Sequence, residues 1–223
     1  MANQIHINEF LSKDELFASC SESIFNDIEK SFDQNDLCNI LLSGGSTPEP
    51  LYKLLATNKD LVSKVQYGLV DERFVELSSD YCNEKMIRQA LGSEASVIGM
   101  VADDENYERN LIEINRRYTT FLNRTDIVIL GMGPDGHFAS LFPNDDLSEK
   151  ILNSSEKGIF NTNAPSYPNQ RITYSFQSIL EGKIIYLIIT GKNKKEVLEN
   201  YKLDLPIHKL LVKRNDIKIY YAD

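Results

Sequence analysis

The sequence predicts an α/β fold with a mostly parallel, twisted sheet and helices on both of its faces. Two observations support this fold class. Short runs of consecutive apolar, β-prone residues, typical of strands buried on both faces, alternate along the chain with segments of helical periodicity. Several of these runs end in glycines or charged residues that open onto a helix, the pattern of repeated strand–helix–strand units. Because the 223 residues are 42% hydrophobic and contain no recognisable linker, we predict one domain over residues 1–223.

The predicted strands are apolar runs bounded by polar residues or glycine. Residues 5–10 alternate only weakly, which indicates an edge strand, and His6 is expected to lie on it without a catalytic part. Residues 144–169 form the longest polar stretch and are interpreted as an elaborated loop rather than a domain boundary. The other predicted strands are residues 37–42, 65–70, 127–130, 171–175, 184–190 and 217–221, of which the last completes the sheet.

Predicted helices fill most of the connections between strands. Ser12 and Glu15 form a capping box for the first helix, which runs to about residue 32 with an apolar stripe. A helix is also expected to start near His137 and to stop before Pro143. Six further helical segments are predicted: one that begins at Pro48, one over residues 79–91, one over residues 103–122, a helical turn over residues 176–180, one that follows Gly191, and a terminal helix that His208 caps or packs.

Charge and cysteine usage limit the possible partners and the compartment. The formal charge is −9 and the pI about 4.9, which disfavours nucleic acids and anionic membrane surfaces as partners. The three cysteines, Cys20, Cys38 and Cys82, have no C-x-x-C spacing, which argues against a disulfide framework and against a zinc site. No signal-like segment and no run of membrane-spanning length is present. We therefore predict a cytoplasmic protein without a membrane partner, in which local donors must bind any anionic ligand.

The glycine-rich loop after the strand at 127–130 contains the residues best suited to catalysis. It places Asp135 and His137 at the carboxyl end of that strand, the edge where open α/β sheets bind ligands. The spacing Gly131-x-Gly133-x-x-Gly136 also matches the dinucleotide fingerprint, but a proline and an aspartate stand where the pyrophosphate would approach. A plain turn with a capping or core histidine is the third interpretation. The coincidence of glycines, an acid and an imidazole at a strand end favours a catalytic loop.

A second loop has the features of an anion cradle. Gly44 and Gly45 let backbone N–H groups turn toward one point, and Ser46 and Thr47 add hydroxyl groups. The spacing and the lysine of the nucleotide-binding P-loop are absent. An ordinary capped turn between strand and helix is the alternative interpretation.

Cationic residues follow other strands at the same predicted edge. Arg73 comes directly after the strand at 65–70, and its planar guanidinium suits phosphate or carboxylate; the alternative is an exposed ion pair. Three lysines after Gly191 stand at a helix start, where they oppose the helix dipole. An anionic ligand would relieve that conflict. Arg171 follows two prolines and is expected on a stiff loop over the pocket, or else on the surface.

These loops form an ordered set of motifs over nearly the whole chain. The set resembles the 6-phosphogluconolactonases, relatives of the glucosamine-6-phosphate isomerases and deaminases. The resemblance implies a three-layer, Rossmann-like, doubly wound fold that needs neither a cofactor nor a metal. The matching residues are Ser43-Gly-Gly-Ser-Thr-Pro48, Asp71-Glu-Arg-Phe-Val75, Asn83 with Met86, Gly131-Met-Gly-Pro-Asp-Gly-His-Phe-Ala-Ser-Leu-Phe-Pro143, Arg171-Ile-Thr173, and Gly191 with Lys194.

The resemblance implies hydrolysis of 6-phospho-D-glucono-1,5-lactone to 6-phospho-D-gluconate in the oxidative pentose phosphate pathway. His137 would act as the base for water and then as the acid for the ring oxygen, and Asp135 would fix the loop or the imidazole tautomer. Arg171 or loop N–H groups would stabilise the oxyanion. The substrate-binding residues implied by the motifs are Gly44, Gly45, Ser46, Thr47, Asp71, Arg73, Asn83, Arg171 and Lys194, with Lys194 as the phosphate partner.

Two other functions remain as alternatives. Deaminases of the same fold carry Asp-Glu-Tyr where this chain has Asp-Glu-Arg73, and Asn-Glu-Pro where it has Leu-Phe-Pro143, which disfavours amine chemistry here. A non-catalytic sugar-phosphate sensor would be expected to bring a DNA-binding segment, whereas this chain begins with its first strand. Cys82 and Phe138 stand where the lactonases usually have serine and threonine. A monomer or weak homo-oligomer is expected.

Overall fold

A computed structural model describes residues 5–223 as strands and helices that alternate along most of the chain. The strands are β1 (Ile7–Phe10), β2 (Cys38–Leu42), β3 (Val65–Leu69), β4 (Asp71–Arg73), β5 (Ser96–Ile98), β6 (Ile127–Gly131), β7 (Ile159–Asn163), β8 (Gln170–Tyr174), β9 (Ile184–Thr190) and β10 (Lys218–Ala222). The helices are α1 (Lys13–Phe32), α2 (Glu49–Leu55), α3 (Lys59–Val62), α4 (Asn83–Leu91), α5 (Tyr107–Arg117), α6 (Thr119–Asn123), α7 (Asp146–Leu152), α8 (Phe176–Leu180), α9 (Lys192–Glu199) and α10 (Pro206–Lys213), with a 3₁₀ turn at Tyr201–Leu203.

The main sheet has seven parallel strands in the order β1-β10-β9-β6-β2-β3-β5. Every residue of β2 is buried, and so is every residue of β9 except its two ends. Since successive side chains of a strand point to opposite faces, both faces of the central sheet are covered. The predicted α/β class and the edge position of β1 are confirmed. Among residues 5–223, no helix combines the length and apolar content needed to cross a bilayer.

A second, antiparallel sheet of three strands, β4-β8-β7, was not predicted. Its strand β4 continues directly from β3, so the three charged residues 71–73 belong to a strand rather than to a loop. In its register Asp71 faces Thr173 and Arg73 faces Arg171. The polar stretch 144–169 contains α7 and β7, and its interpretation as a loop was therefore wrong for these parts.

Three helix predictions need correction. No helix starts near His137, because Gly136 and Ala139 have left-handed backbone, with φ of 77° and 47°, and Phe138 instead forms a bridge with Leu141. The predicted helix over 103–122 is broken at Tyr118, whose buried hydroxyl donates to the carbonyl of Ile98 at 2.5 Å. The helix predicted from residue 79 begins at residue 83.

The last strand and the last helix agree with the sequence. Strand β10 lies between β1 and β9, where it completes the sheet. His208 accepts a hydrogen bond at Nδ1 from the backbone N–H of Leu205 at 3.1 Å, and its Nε2 lies 2.9 Å from the carbonyl of Val197. This histidine therefore caps α10 and ties it to α9, as predicted.

Candidate active site

The loops after β2 and β6, strand β4, and the first turns of α4 and α9 meet at the carboxyl edge of the main sheet. They surround a cavity of about 220 Å³, the first cavity, whose volume is several times that of a water molecule, about 30 Å³. An adjoining second cavity shares Asp71, Arg73, His137 and Ala139 with it. The predicted site residues that line the first cavity are Gly44, Gly45, Ser46, Thr47, Asp71, Arg73, Asn83, His137 and Lys194, and the second adds Asp135 and Arg171.

The floor of the first cavity is the glycine loop after β2. Gly45 has φ of 101°, a backbone conformation that favours glycine. A Cβ on Gly44 would lie 1.9 Å from Oδ1 of Asn83, so only glycine lets the Asn83 side chain approach this loop. The hydroxyl of Ser43 accepts a hydrogen bond from the N–H of Gly131 at 3.4 Å, which joins this loop to the end of β6.

The Asp135 and His137 side chains form a pair at the boundary between the two cavities. Nδ1 of His137 lies 2.5 Å from Oδ1 of Asp135. Partial burial raises the pKa of the Asp135 carboxyl, but its hydrogen bond and charge interaction with His137 outweigh this and hold the pKa below its usual range. The ionised carboxylate therefore accepts from Nδ1–H, which leaves Nε2 as the basic nitrogen.

Gly133 makes room for this pair. A Cβ at this position would lie 2.2 Å from Cε1 and 2.3 Å from Nδ1 of His137, and 2.6 Å from Oδ1 of Asp135. The N–H of Gly133 also donates to the carbonyl of His137 at 2.9 Å. The imidazole is further held by the ring of Phe142, whose centroid is 4.6 Å away.

Asp71 lines both cavities and is already hydrogen-bonded. Its Oδ2 accepts from the hydroxyl of Ser140 at 2.7 Å, and its carbonyl accepts from Nδ2 of Asn83 at 3.1 Å. Because Ser140 is buried and engaged in this way, it is not placed as a nucleophile. Asp71 and Asn83 thus form one hydrogen-bonded wall of the site.

From its place beside Arg73, the sequence allows Glu72 either to orient Arg73 or to contact sugar hydroxyls, and the hydrogen bonds of Glu72 favour the first role. Its side chain is fully buried and accepts hydrogen bonds from the backbone N–H groups of Arg73, Asn83 and Glu84 at 2.7, 2.8 and 2.7 Å. Burial raises the pKa of this carboxyl to about 7, although the three N–H groups favour its ionised form. Glu72 does not line the cavities; it joins β4 to the start of α4 and so positions Arg73 and Asn83.

The cations of the first cavity are Lys194 and Arg73. Nη1 of Arg73 donates to the carbonyl of Tyr81 at 2.6 Å. Lys194 is half-buried and makes no salt bridge with a described residue, whereas Lys192 pairs with Asp223 and Lys195 with Glu9. Burial lowers the pKa of Lys194.

Arg171 lies buried on strand β8, rather than on a loop or at the surface as expected, and lines the second cavity together with Arg73. The residue is 6% exposed, and its Nε and Nη1 have no hydrogen-bond partner within residues 5–223. Burial, and secondly the charge of Arg73, lower the pKa of Arg171 to about 10. Its guanidinium carbon lies 6.0 Å from the ring centroid of Phe142.

The two departures from the lactonase motifs leave the site intact. Sγ of Cys82 accepts from the N–H of Lys85 at 3.4 Å and caps α4, as a serine hydroxyl would. Phe138 is buried in the core against Phe176 and lines neither cavity. No group of three His, Cys, Asp or Glu side chains in the described part of the chain is arranged to hold a metal ion.

Comparison with known proteins identifies the family. The family model of "Glucosamine-6-phosphate isomerases/6-phosphogluconolactonase" matches residues 11–217. A 6-phosphogluconolactonase of Rhizobium meliloti is 31% identical over 195 residues, which are 82% of this chain and 84% of that protein. One of Thermotoga maritima is 29% identical over 90% of this chain and 91% of its own length. The crystal structure of a 6-phosphogluconolactonase from Shewanella baltica covers both chains fully with a TM-score of 0.91 and 27% identity. The resemblance inferred from the motifs is thereby confirmed, and the chain belongs to the glucosamine-6-phosphate isomerase/6-phosphogluconolactonase family.

Proposed function

We propose that this protein hydrolyses 6-phospho-D-glucono-1,5-lactone to 6-phospho-D-gluconate, the second step of the oxidative pentose phosphate pathway. The observation that carries the proposal is the pair of Asp135 and His137 at the boundary of two cationic cavities. A substrate with a phosphate at one end and an ester at the other fits this arrangement. The related lactonases named above support the same reaction.

The phosphate of the substrate binds in the first cavity. The backbone N–H groups and hydroxyls of residues 44–47 offer hydrogen bonds, and Lys194 and Arg73 offer positive charge. The formal charge of −9 repels an anion at long range, so these local groups must supply the affinity. Asp71 and Asn83 also line this cavity, where they offer hydrogen bonds to the sugar hydroxyls.

His137 activates the water. Nε2 takes a proton from water while the water oxygen bonds to C1 of the lactone, and the C1 carbonyl becomes an oxyanion. The oxyanion then collapses to a carboxyl group, the C1 bond to the ring oxygen breaks, and the ring oxygen takes the proton from His137. Such general base catalysis is typically worth about 10² to 10⁴ in rate. Arg171 faces the C1 end from the second cavity and stabilises the negative charge, which for each donor is worth roughly 3–4 kcal/mol.

The same proposal includes the setting of the reaction. The protein is cytoplasmic, acts as a single domain over residues 1–223, is a monomer or a weak homo-oligomer, and binds no nucleic acid. The acidic charge and three free, buried cysteines support a reducing compartment and argue against a polyanionic partner. Size-exclusion chromatography at several concentrations tests the oligomeric state.

The proposal is tested by proton release from freshly generated lactone. We expect wild-type turnover to fall by at least about 10²-fold in His137→Ala, because the base is lost. His6→Ala is the matched control, since His6 is exposed and lies outside both cavities. Unchanged turnover in His137→Ala would refute the mechanism. Chelator treatment is expected to leave turnover unchanged, and ammonia release from glucosamine 6-phosphate, the deaminase reaction, is expected to be absent.

A further inference from the structure

The ring of Phe142 is close to both of the side chains that act at the ester in the proposed reaction. Its centroid lies 4.6 Å from that of the His137 ring, with 44° between the two planes, and 6.0 Å from the guanidinium carbon of Arg171. Phe142 is 6% exposed and lines the second cavity but not the first. At these distances an aromatic ring attracts another ring or a cation. One phenyl group therefore packs against the base and the oxyanion donor at once.

The imidazole of His137 needs a second contact of this kind. Its hydrogen bond to Asp135 fixes the position of Nδ1, but one hydrogen bond leaves the ring free to turn about the line from Nδ1 to the carboxylate oxygen. Gly133, which faces Cε1 and Nδ1, has no side chain to limit that rotation. Packing against Phe142 would fix the plane of the imidazole, and with it the direction of Nε2.

The segment that carries Phe142 is irregular and is held by a helix outside the site. Ala139 has left-handed backbone, so no regular helix satisfies the N–H groups that follow it. The N–H of Phe142 instead donates to Oγ of Ser148 on α7 at 2.9 Å. Ser148 is completely buried, and its own hydroxyl and N–H donate to Oδ2 of Asp145 at 2.7 and 2.8 Å. The Ser148 hydroxyl therefore has a fixed direction, which fixes the backbone of Phe142 in turn.

We propose that Ser148 is a positioning residue for catalysis, which acts through the ring of Phe142 on His137 and Arg171. Ser148 lines neither cavity, so its effect on the reaction is indirect. The proposal rests on the function proposed above, because it concerns the base and the oxyanion donor of that reaction. Since Phe142 does not line the cavity assigned to the phosphate, the effect falls on kcat rather than on KM.

Stopped-flow proton release from the lactone measures the effect on kcat and KM. Phe142→Leu keeps an apolar side chain but removes the ring, and we expect kcat to fall about 2- to 10-fold, the usual contribution of one aromatic pair, with unchanged KM. Ser148→Ala is expected to lower kcat about 2- to 5-fold, as for a lost neutral hydrogen bond. In a Phe142→Leu background, Ser148→Ala should lower kcat no further, because the ring through which it acts is absent. The control Phe176→Leu changes a similarly buried residue, 4% exposed and outside both cavities, and should lower Tm but not kcat.

Ser178→Ala is the matched control for Ser148→Ala. Ser178 has the same place in α8 as Ser148 in α7: it is the third residue of the helix, and its N–H donates to the capping side chain, here that of Ser175. Its hydroxyl likewise accepts from a backbone N–H, that of Gly158, at 3.1 Å. Because Ser178 holds a segment away from both cavities, we expect Ser178→Ala to lower Tm as Ser148→Ala does and to leave kcat unchanged.

Imidazole proton NMR tests the same coupling without turnover. The chain has three histidines, so the Cε1–H resonance of His137 can be assigned by comparison with His137→Ala. The ring current of Phe142, 4.6 Å away, acts on this proton and changes steeply with distance and angle. We expect Ser148→Ala, which keeps the ring, to shift the His137 resonance, and Ser178→Ala to leave it in place.

Each outcome decides the proposal. Wild-type kcat in Phe142→Leu or Ser148→Ala, additive losses in the double variant, an equal fall of kcat in Ser178→Ala, or an unmoved His137 resonance in Ser148→Ala overturns it. If circular dichroism shows that Ser148→Ala is unfolded, Ser148→Cys decides by the same two readouts, since a thiol accepts hydrogen bonds only weakly. Wild-type protein without lactone turnover would remove the proposed reaction, and the His137 resonance in Ser148→Ala would still decide whether Ser148 positions the imidazole. Lactone turnover at the wild-type rate in all variants would remove only the positioning role.

Discussion

Replacing Gly133 by alanine is expected to impair catalysis while leaving the fold stable. The new Cβ would lie 2.2 Å from Cε1 and 2.3 Å from Nδ1 of His137, whereas real Cβ contacts do not fall below 3.0 Å. Gly133 does not have left-handed backbone, so the main chain tolerates alanine. The imidazole must therefore move, and it loses its hydrogen bond to Asp135.

The size of this effect follows from the environment of the pair. A hydrogen bond to a charged group contributes about 1.5–3 kcal/mol. Because the Asp135 side chain is 37% exposed, solvent screening places the loss in the lower part of that range. A loss of about 1.5–2 kcal/mol in the transition state corresponds to a roughly 10- to 30-fold lower kcat.

Stopped-flow proton release and thermal melting together test the prediction for Gly133→Ala. We expect the fall in kcat with a Tm close to that of wild type, because the affected pair is partly exposed and outside the core. In an Asp135→Asn background, Gly133→Ala should lower kcat much less, since the pair of Asp135 and His137 is already lost. Wild-type kcat in Gly133→Ala would show that this pairing does not serve catalysis.

Three further predictions concern charged residues. Lys194→Met is expected to raise KM about 10-fold or more with little change in kcat, as for a lost charge-assisted contact, whereas Lys192→Met leaves both unchanged in the same assay. Burial lowers the pKa of Lys194 below 10.5, and a bound phosphate favours the charged form of the lysine. The affinity for 6-phosphogluconate, measured by calorimetry, should therefore fall as the pH rises through that pKa. Lys194→Arg should show no such fall, because arginine stays charged. The pKa of Glu72 is raised from 4.5 to about 7, so the stability that the protonated carboxyl contributes is complete below pH 4.5 and is lost as the pH rises through about 7. Glu72→Gln should therefore flatten the dependence of Tm on pH over this window. An unchanged slope would contradict the raised pKa of Glu72.

The strands of the main sheet and the loops at their carboxyl ends could be predicted from the sequence. Continuous apolar runs such as β6 and β9 are long enough to identify a buried strand, and parallel strands bring their following loops to one edge. This is why the residues selected on the loops after β2, β6 and β9 all line adjoining cavities. Local pattern and topology were sufficient for that part of the site.

The second sheet could not be predicted because its pairing is non-local. Strand β4 consists of three charged residues without an apolar pattern, and its only strand partner among residues 5–223 is β8, far along the chain. The role of Glu72 depends on the same pairing, since it is the fold that brings the N–H groups of α4 to its carboxylate. Likewise, the left-handed backbone of Ala139 prevents the helix expected after His137, and alanine gives no sign of such a conformation.

In the proposed reaction one small molecule spans both cavities, with its ester carbon beside His137. A crystal structure with bound 6-phosphogluconate tests this most directly. We expect the phosphate against residues 44–47 and Lys194, the carboxylate at Arg171, and Nε2 of His137 within about 3–3.5 Å of the C1 group. A ligand confined to one cavity, or one whose carboxylate points away from both His137 and Arg171, would contradict it.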